Sequence, residues 1–346
     1  MPEELKKRSG YLDALRVIAC FFVIVNHTCG RVFLAREPSF EWYAALSWFF
    51  LSKTAVPVFL MITGAVLLPK SDTYGKTLRR VLRIVIVIIV FSAVYFVFGY
   101  LRGERVFDIR EYLRDTYRNG ITNAYWYLYL YAAILIMMPV LQRLAKGLKT
   151  ADYKYIFFWS FVFLGAMPIL IHYIPALEYN TAFKLPVFSV YLGLLFAGNY
   201  IHRKLGCEKR LLTWSVIGLI VMTALSVLLT LAEYRRGEEW YLFFDDRFLI
   251  TIVLASMSVF YIAKYISGKD RRQEGESRAL ALLGRCTFGI FLLSDLFIAL
   301  FEPVYDSMAS AITPIPAVIV YEVLVFAAGF VVSFVLTRIP LVNKLI

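Results

Sequence analysis

Apolar residues run along this chain in long unbroken blocks separated by short clusters of charge. Ten blocks, at 12–29, 45–69, 84–101, 123–141, 155–173, 184–201, 212–232, 247–266, 286–303 and 315–337, are each long enough to cross a bilayer as a helix. The first is not a cleaved leader, because Asp13 and Arg16 interrupt it and no small-residue cleavage site follows. Neither internal repeats nor low-complexity tracts appear between the blocks. The pattern predicts an all-α bundle of about ten transmembrane helices, a single domain over residues 1–346.

Composition strengthens this reading. Hydrophobic residues make up 60% of the chain and charged residues 18%, with a mean hydropathy of +0.68. A soluble domain is nearer half apolar and a quarter charged. The net charge of +12 raises the question of nucleic acid, and its distribution answers it. With the N-terminus placed in the cytoplasm, inward connections carry 24 Lys and Arg and outward ones 11, Arg16 and Lys53 falling inside spans. That asymmetry is what the positive-inside rule expects. Both termini are therefore expected in the cytoplasm, and the basic excess needs no nucleic acid. The four cysteines (Cys20, Cys29, Cys207, Cys286) show neither disulfide nor metal spacing, so no metal is expected.

The first block carries the most unusual chemistry. His27 is one of only three histidines, and an ionisable side chain inside a span is costly unless paired or used. Arg16 precedes it by eleven positions, about 20° past three full turns and roughly 16 Å along the axis. One helix face thus holds a fixed cation toward the inner side and a titratable imidazole toward the outer side. Asp13, three residues before Arg16, is placed to hold the guanidinium.

The segment YLDALRVIACFFVIVNH (11–27) resembles the opening of the membrane-bound acyltransferase 3 family, whose signature is Arg, ten residues, then His. VPVFLMITGAVLL (56–68), RRVLRI (79–84), WYLYLYAAILIMMPVL (126–141) and LLGRCTFGIFLLSD (282–295) resemble further segments of the family, in order. The resemblance implies transfer of an acyl group, usually acetyl from cytosolic acetyl-CoA, to hydroxyls of extracytoplasmic glycans or glycolipids. It implies a multi-pass protein of a cell membrane, the bacterial cytoplasmic membrane by family habit. This chain looks like the short single-domain type.

Such a transfer needs a base for the hydroxyl and stabilisation of the oxyanion. Imidazole suits the first because its pKa lies near working pH. His27 either deprotonates the acceptor or carries the acyl group briefly. Arg16 either orients the donor or polarises its carbonyl. Arg79, Arg80 and Arg83 cluster at the cytoplasmic start of the third block, where CoA presents its phosphates, and guanidinium suits bidentate phosphate contact. Arg80 and Arg83 share a face. The alternative is that these arginines only fix topology.

Asp295 and Glu322 are acids inside the ninth and tenth blocks. Each either orients His27, faces an acceptor path, or pairs with a neighbouring helix. Trp126, with Tyr125, Tyr127 and Tyr129, reads first as an interfacial belt and second as a surface for stacking sugars. His172 and His202 read as surface residues at span ends. Many relatives carry a histidine where this chain has Ser294, and some have one at the position of Ala124. That leaves His27 as the sole base expected.

Two other classes fit the gross pattern. Ten basic-inside helices with buried ionisable groups also suit a transporter or flippase for a lipid-linked sugar, though such proteins usually show two similar halves with broken helices. A non-catalytic partner in a polysaccharide export complex is the other. On orientation, a tag at either terminus should be reached only from the cytoplasmic side, and a cysteine placed within 104–116 should be labelled from outside. Failure of that loop to react in intact cells overturns the orientation.

Overall fold

A computed structural model describes residues 10–34, 37–118, 121–178, 189–237, 249–269 and 278–346. Among these the chain is helical throughout, with no strand. In order the helices are α1 (Gly10–Thr28), α2 (Gly30–Phe33), α3 (Phe40–Ser52), α4 (Ala55–Leu67), α5 (Tyr74–Leu101), α6 (Ile109–Arg118) and α7 (Trp126–Gly147). They continue as α8 (Thr150–Ser160), α9 (Met167–Tyr173), α10 (Val190–Arg203), α11 (Lys209–Arg235), α12 (Ile250–Lys269), α13 (Arg278–Ala311) and α14 (Pro314–Leu336).

Nine segments among the described residues are long and apolar enough to cross a membrane. They account for nine of the ten expected blocks. The remaining one, 184–201, appears as α10, of which 14 residues are described. Residues 184–188 of that block and 247–248 of the eighth lie outside the described residues, as do Lys6, Lys7 and Arg8 of the inward charge set.

α1 occupies the centre and packs against α3, α4, α12, α13 and α14. Leu15, Cys20, Ile24 and Val25 on it are fully buried. The periphery shows the inverse pattern of a soluble protein. On α5, Ile84, Val87, Ile88 and Phe91 face inward, while Val85, Ile86, Ile89, Val90, Val94 and Val97 are exposed. An exposed apolar stripe of this length is a lipid-facing surface.

Two local features depart from simple straight spans, and proline explains both. The second span is broken between α3 and α4 at Lys53 and Thr54. Pro57 has no N–H to give the Lys53 carbonyl and its ring crowds that carbonyl, so a continuous helix is not formed there. Pro168 likewise cannot bond to Leu164, and Phe161–Ala166 widens to a π-helical turn in which the Met167 N–H reaches Val162.

α4 and α10 approach closely, with two glycines lying against opposing backbone. A Cβ on Gly64 would sit 1.9 Å from the Leu195 carbonyl oxygen, and one on Gly198 would sit 2.0 Å from that of Met61. Such contact gives helices in lipid the van der Waals packing that apolar side chains alone do not. Gly64→Ala and Gly198→Ala should therefore each destabilise by about 3 kcal/mol or more, despite alanine's better helix propensity. Gly147→Ala, whose Cβ would meet nothing within 4 Å, should be neutral. Thermal unfolding in detergent decides, and an unchanged midpoint for Gly198→Ala contradicts this packing.

Candidate active site

The polar stripe on α1 forms as its spacing predicts. Asp13 is buried and accepts a hydrogen bond from the Arg16 guanidinium, an ion pair of the i,i+3 type. Gly284 on α13 makes room for the carboxylate, since a Cβ there would lie 3.0 Å from that of Asp13. The remainder of the Arg16 side chain, 24% exposed, borders an internal cavity of about 230 Å³.

That cavity is the middle one of three in file. Tyr127 and Phe291 separate it from a cavity of about 580 Å³ that His27 lines. Tyr131 and Phe288 separate it from a third, of about 590 Å³, at the other end of the bundle. The three therefore lie side by side between the start of α5 and the end of α1, divided by these aromatic walls.

Arg83, Arg285 and Arg338 line the third cavity. Of the three arginines expected at the donor end, only Arg83 does so, and its Nε donates to the Leu345 carbonyl at 3.0 Å. Arg80 turns away, pairing with Asp72 at 2.5 Å. Asp72 also accepts from Lys76 at 2.9 Å and from the Gln142 amide at 2.9 Å. Burial would raise the Asp72 pKa, yet the bonds from Lys76, Gln142 and Arg80 outweigh it and hold the carboxyl well below the usual range. Arg80 thus fastens the turn between α4 and α5. Arg79 is exposed, with its Nε near the Gly75 carbonyl of its own helix. Arg285 and Arg338 belong to the basic residues expected inward from the sequence; their convergence with Arg83 needs α13 and the end of α14 to meet α5, a long-range fact.

At the opposite end His27 is exposed to its cavity and has no hydrogen-bond partner among the described residues. Asn26, Lys53, Asn123, Trp126 and Tyr127 share the cavity wall. The Asn26 amide nitrogen is buried there without a hydrogen-bond partner. Lys53 arrives through the proline break, 6% exposed, its Nζ 4.4 Å from the Phe49 ring centre.

The acids do not orient His27. Glu322 is fully buried and accepts from Thr28 Oγ1 at 3.1 Å and from Trp48 Nε1 at 3.0 Å. It clamps the end of α1 to α14 and α3. Asp295 accepts a hydrogen bond from Thr122 and so holds the 3-10 turn Asn123–Tyr125, two residues of which line the His27 cavity. Ser294 donates to the Phe291 carbonyl of its own helix at 2.9 Å.

The belt reading of the Trp126 group is corrected: Trp126 and Tyr127 face the cavity, and Tyr125 is buried with its hydroxyl on the Leu292 carbonyl at 2.8 Å. Polar tips that find carbonyls inside the bundle have no need of the interface. His172 and His202 are not simple surface residues either. His172 lies 2.9 Å from buried Glu233, and His202 pairs with Tyr11.

A helical bundle of this length, apolar outside and with ionisable residues along its central helix, defines a multi-pass membrane protein. The chain matches the family model described as an acyltransferase domain over residues 9–338, nearly its whole length. It belongs to that acyltransferase 3 family and is a membrane acyltransferase. No curated protein and no solved structure matches it.

The geometry makes Glu322 an anchor whose charge is not needed. Glu322→Gln keeps an acceptor for Trp48 and a donor for Thr28, so it should fold and retain acyl transfer within a few-fold. Glu322→Leu strands the Trp48 indole, while Thr28 keeps the Ile24 carbonyl at 2.9 Å, and should cost about 1–3 kcal/mol. A well-folded Glu322→Gln protein devoid of transfer would show instead that the carboxylate serves the chemistry.

Proposed function

We propose that the protein transfers an acyl group, acetyl by preference, from cytosolic acyl-CoA to a hydroxyl of an extracytoplasmic glycan or glycolipid. The supporting observation is the file of three cavities linking an arginine-lined end to His27. Arg83, Arg285 and Arg338 supply charge-assisted contacts for CoA phosphates. The passage between Tyr131 and Phe288 admits the thioester-bearing arm, and Arg16, held by Asp13, steadies it midway.

His27 takes the proton of the acceptor hydroxyl as its oxygen attacks the acyl carbon. The C–O bond forms, the C–S bond breaks, and the proton on the imidazole returns to the departing thiolate. If His27 first carries the acyl group, an imidazole nitrogen forms a C–N bond as the C–S bond breaks and the thiolate takes the imidazole proton; the acceptor oxygen then forms the C–O bond as the C–N bond breaks, its proton passing to the freed imidazole. Trp126 offers an aromatic face to a sugar in the same cavity. Orientation with both termini in the cytoplasm belongs to this reading, because it sets the arginine-lined end toward the CoA pool. Family membership favours acyl transfer over the transporter alternative, although the proline-broken second span is a feature seen in transporters.

The test is label transfer in proteoliposomes supplied with acyl-labelled acetyl-CoA and a glycan acceptor. His27→Ala should lower transfer by about 10²–10⁴ while acyl-CoA affinity holds. Arg83→Ala with Arg338→Ala should weaken acyl-CoA binding at least about tenfold. Near-native transfer by a folded His27→Ala protein, or unchanged acyl-CoA affinity in the double variant, overturns the respective assignment.

A further inference from the structure

α6 sits beside the end of α5, at the same end of the bundle as His27. Its buried side is fixed to the protein: the Tyr112 hydroxyl donates to the Ile89 carbonyl at 2.7 Å, and the Thr116 carbonyl accepts from Tyr129. At 100° per residue, Tyr112, Thr116, Ile109, Leu113 and Tyr117 fall within an arc of about 140°. Only the first two of these are buried; Ile109, Leu113 and Tyr117 are exposed, Tyr117 at 86%.

The next sector, about 80° wide, holds Arg110, Arg114 and Arg118. The acids lie beyond it and are already neutralised. Arg105 reaches Glu111 at 3.3 Å and Asp115 at 2.8 Å, and Arg114 reaches Asp115 at 3.0 Å. The Arg105 hydrogen bond holds the Asp115 carboxyl below its ordinary range. Arg110 and Arg118 pair with no carboxylate among the described residues.

An exposed apolar stripe with free guanidinium groups along one edge is the profile of a helix lying in a membrane interface. The stripe also continues the lipid-facing surface of α5, through exposed Val94, Val97 and Leu101. We propose that α6 is an interfacial helix that binds anionic phospholipids: Ile109, Leu113 and Tyr117 enter the acyl-chain boundary while Arg110 and Arg118 contact headgroup phosphates. The chain then runs from α6 into the Asn123–Tyr125 turn, which borders the His27 cavity. The site gathers negative lipid at that cavity's mouth.

The experiment uses the full chain in nanodiscs, with exposed Cys207 replaced by serine and a fluorophore on Tyr117→Cys. Shallow spin-labelled lipid should quench the probe strongly. Spin-labelled phosphatidylglycerol should quench it better than spin-labelled phosphatidylcholine. Arg110→Gln with Arg118→Gln should reduce that preference by roughly fivefold per arginine, at about 1 kcal/mol each. A water-exposed, unquenched probe overturns the proposal, as does a preference that survives the double variant. Oxidative crosslinking of Tyr117→Cys into a dimer would instead assign the stripe to a second copy of the chain. None of these readouts depends on acyl transfer.

Discussion

Inside a bundle surrounded by hydrocarbon, a charged side chain persists only against a partner or beside space that water can enter. α1 is where this constraint acts most strongly, because it is both the central helix and the carrier of the ionisable stripe. Asp13 satisfies Arg16 at one end. At the other, Thr28 is tied to Glu322, which also takes the Trp48 indole. The first pair lies within α1; the second ties the end of α1 to α14 and α3. His27, left outside both, meets a cavity instead. Pairing for Arg16 and a cavity for His27 are thus the two ways in which this stripe meets the constraint.

Backbone-level constraints shape the hollow. Gly64 and Gly198 draw α4 and α10 into backbone contact, and Gly284 lets α13 close over Asp13. The free volume beside Arg16 lies between α1, α4, α7 and α13, where Phe59, Tyr127, Phe288 and Phe291 wall it. Pro57 then breaks the second span at the level of His27. A straight helix there would keep Lys53 on its own ladder of hydrogen bonds; the break brings its side chain to the cavity wall.

What the sequence made legible follows from what is local. Blocks of apolar residues are read directly, and the arrangement Asp13, Arg16, His27 is a matter of helical periodicity within one element. The donor end was read less well because Arg79, Arg80 and Arg83 are near in sequence, whereas the cavity collects Arg83, Arg285 and Arg338 from three helices. Arg80 went elsewhere for a reason invisible in its own helix, a buried Asp72 already held by Gln142 from α7. Of the alternatives open for the two acids, pairing with a neighbouring segment is the one the contacts favour. Glu322 looked like a candidate partner of His27, and it is adjacent to it, but through Thr28 rather than through the imidazole. The Trp126 aromatics match an interfacial belt by composition, while the inward placement of Tyr125 and Tyr129 rests on carbonyls of Leu292 and Thr116, far away in the sequence or on another helix.

The distance between Arg16 and His27 constrains any chemistry assigned to them. Eleven helical steps separate their Cα atoms by roughly 16 Å, and Tyr127 with Phe291 stands between the cavities they line. No single carbonyl can be polarised by one and attacked with help from the other. On the proposed reading Arg16 therefore acts on the donor's position, and the acyl carbon itself has to reach the outer cavity. On that reading the aromatic pair is a constriction the donor must pass, so its side chains bear on which acyl groups are accepted. A bulky acyl chain meets Tyr127 and Phe291 before it meets the histidine. Selectivity for a short acyl group would then arise at a constriction, with the catalytic residue itself indifferent to chain length.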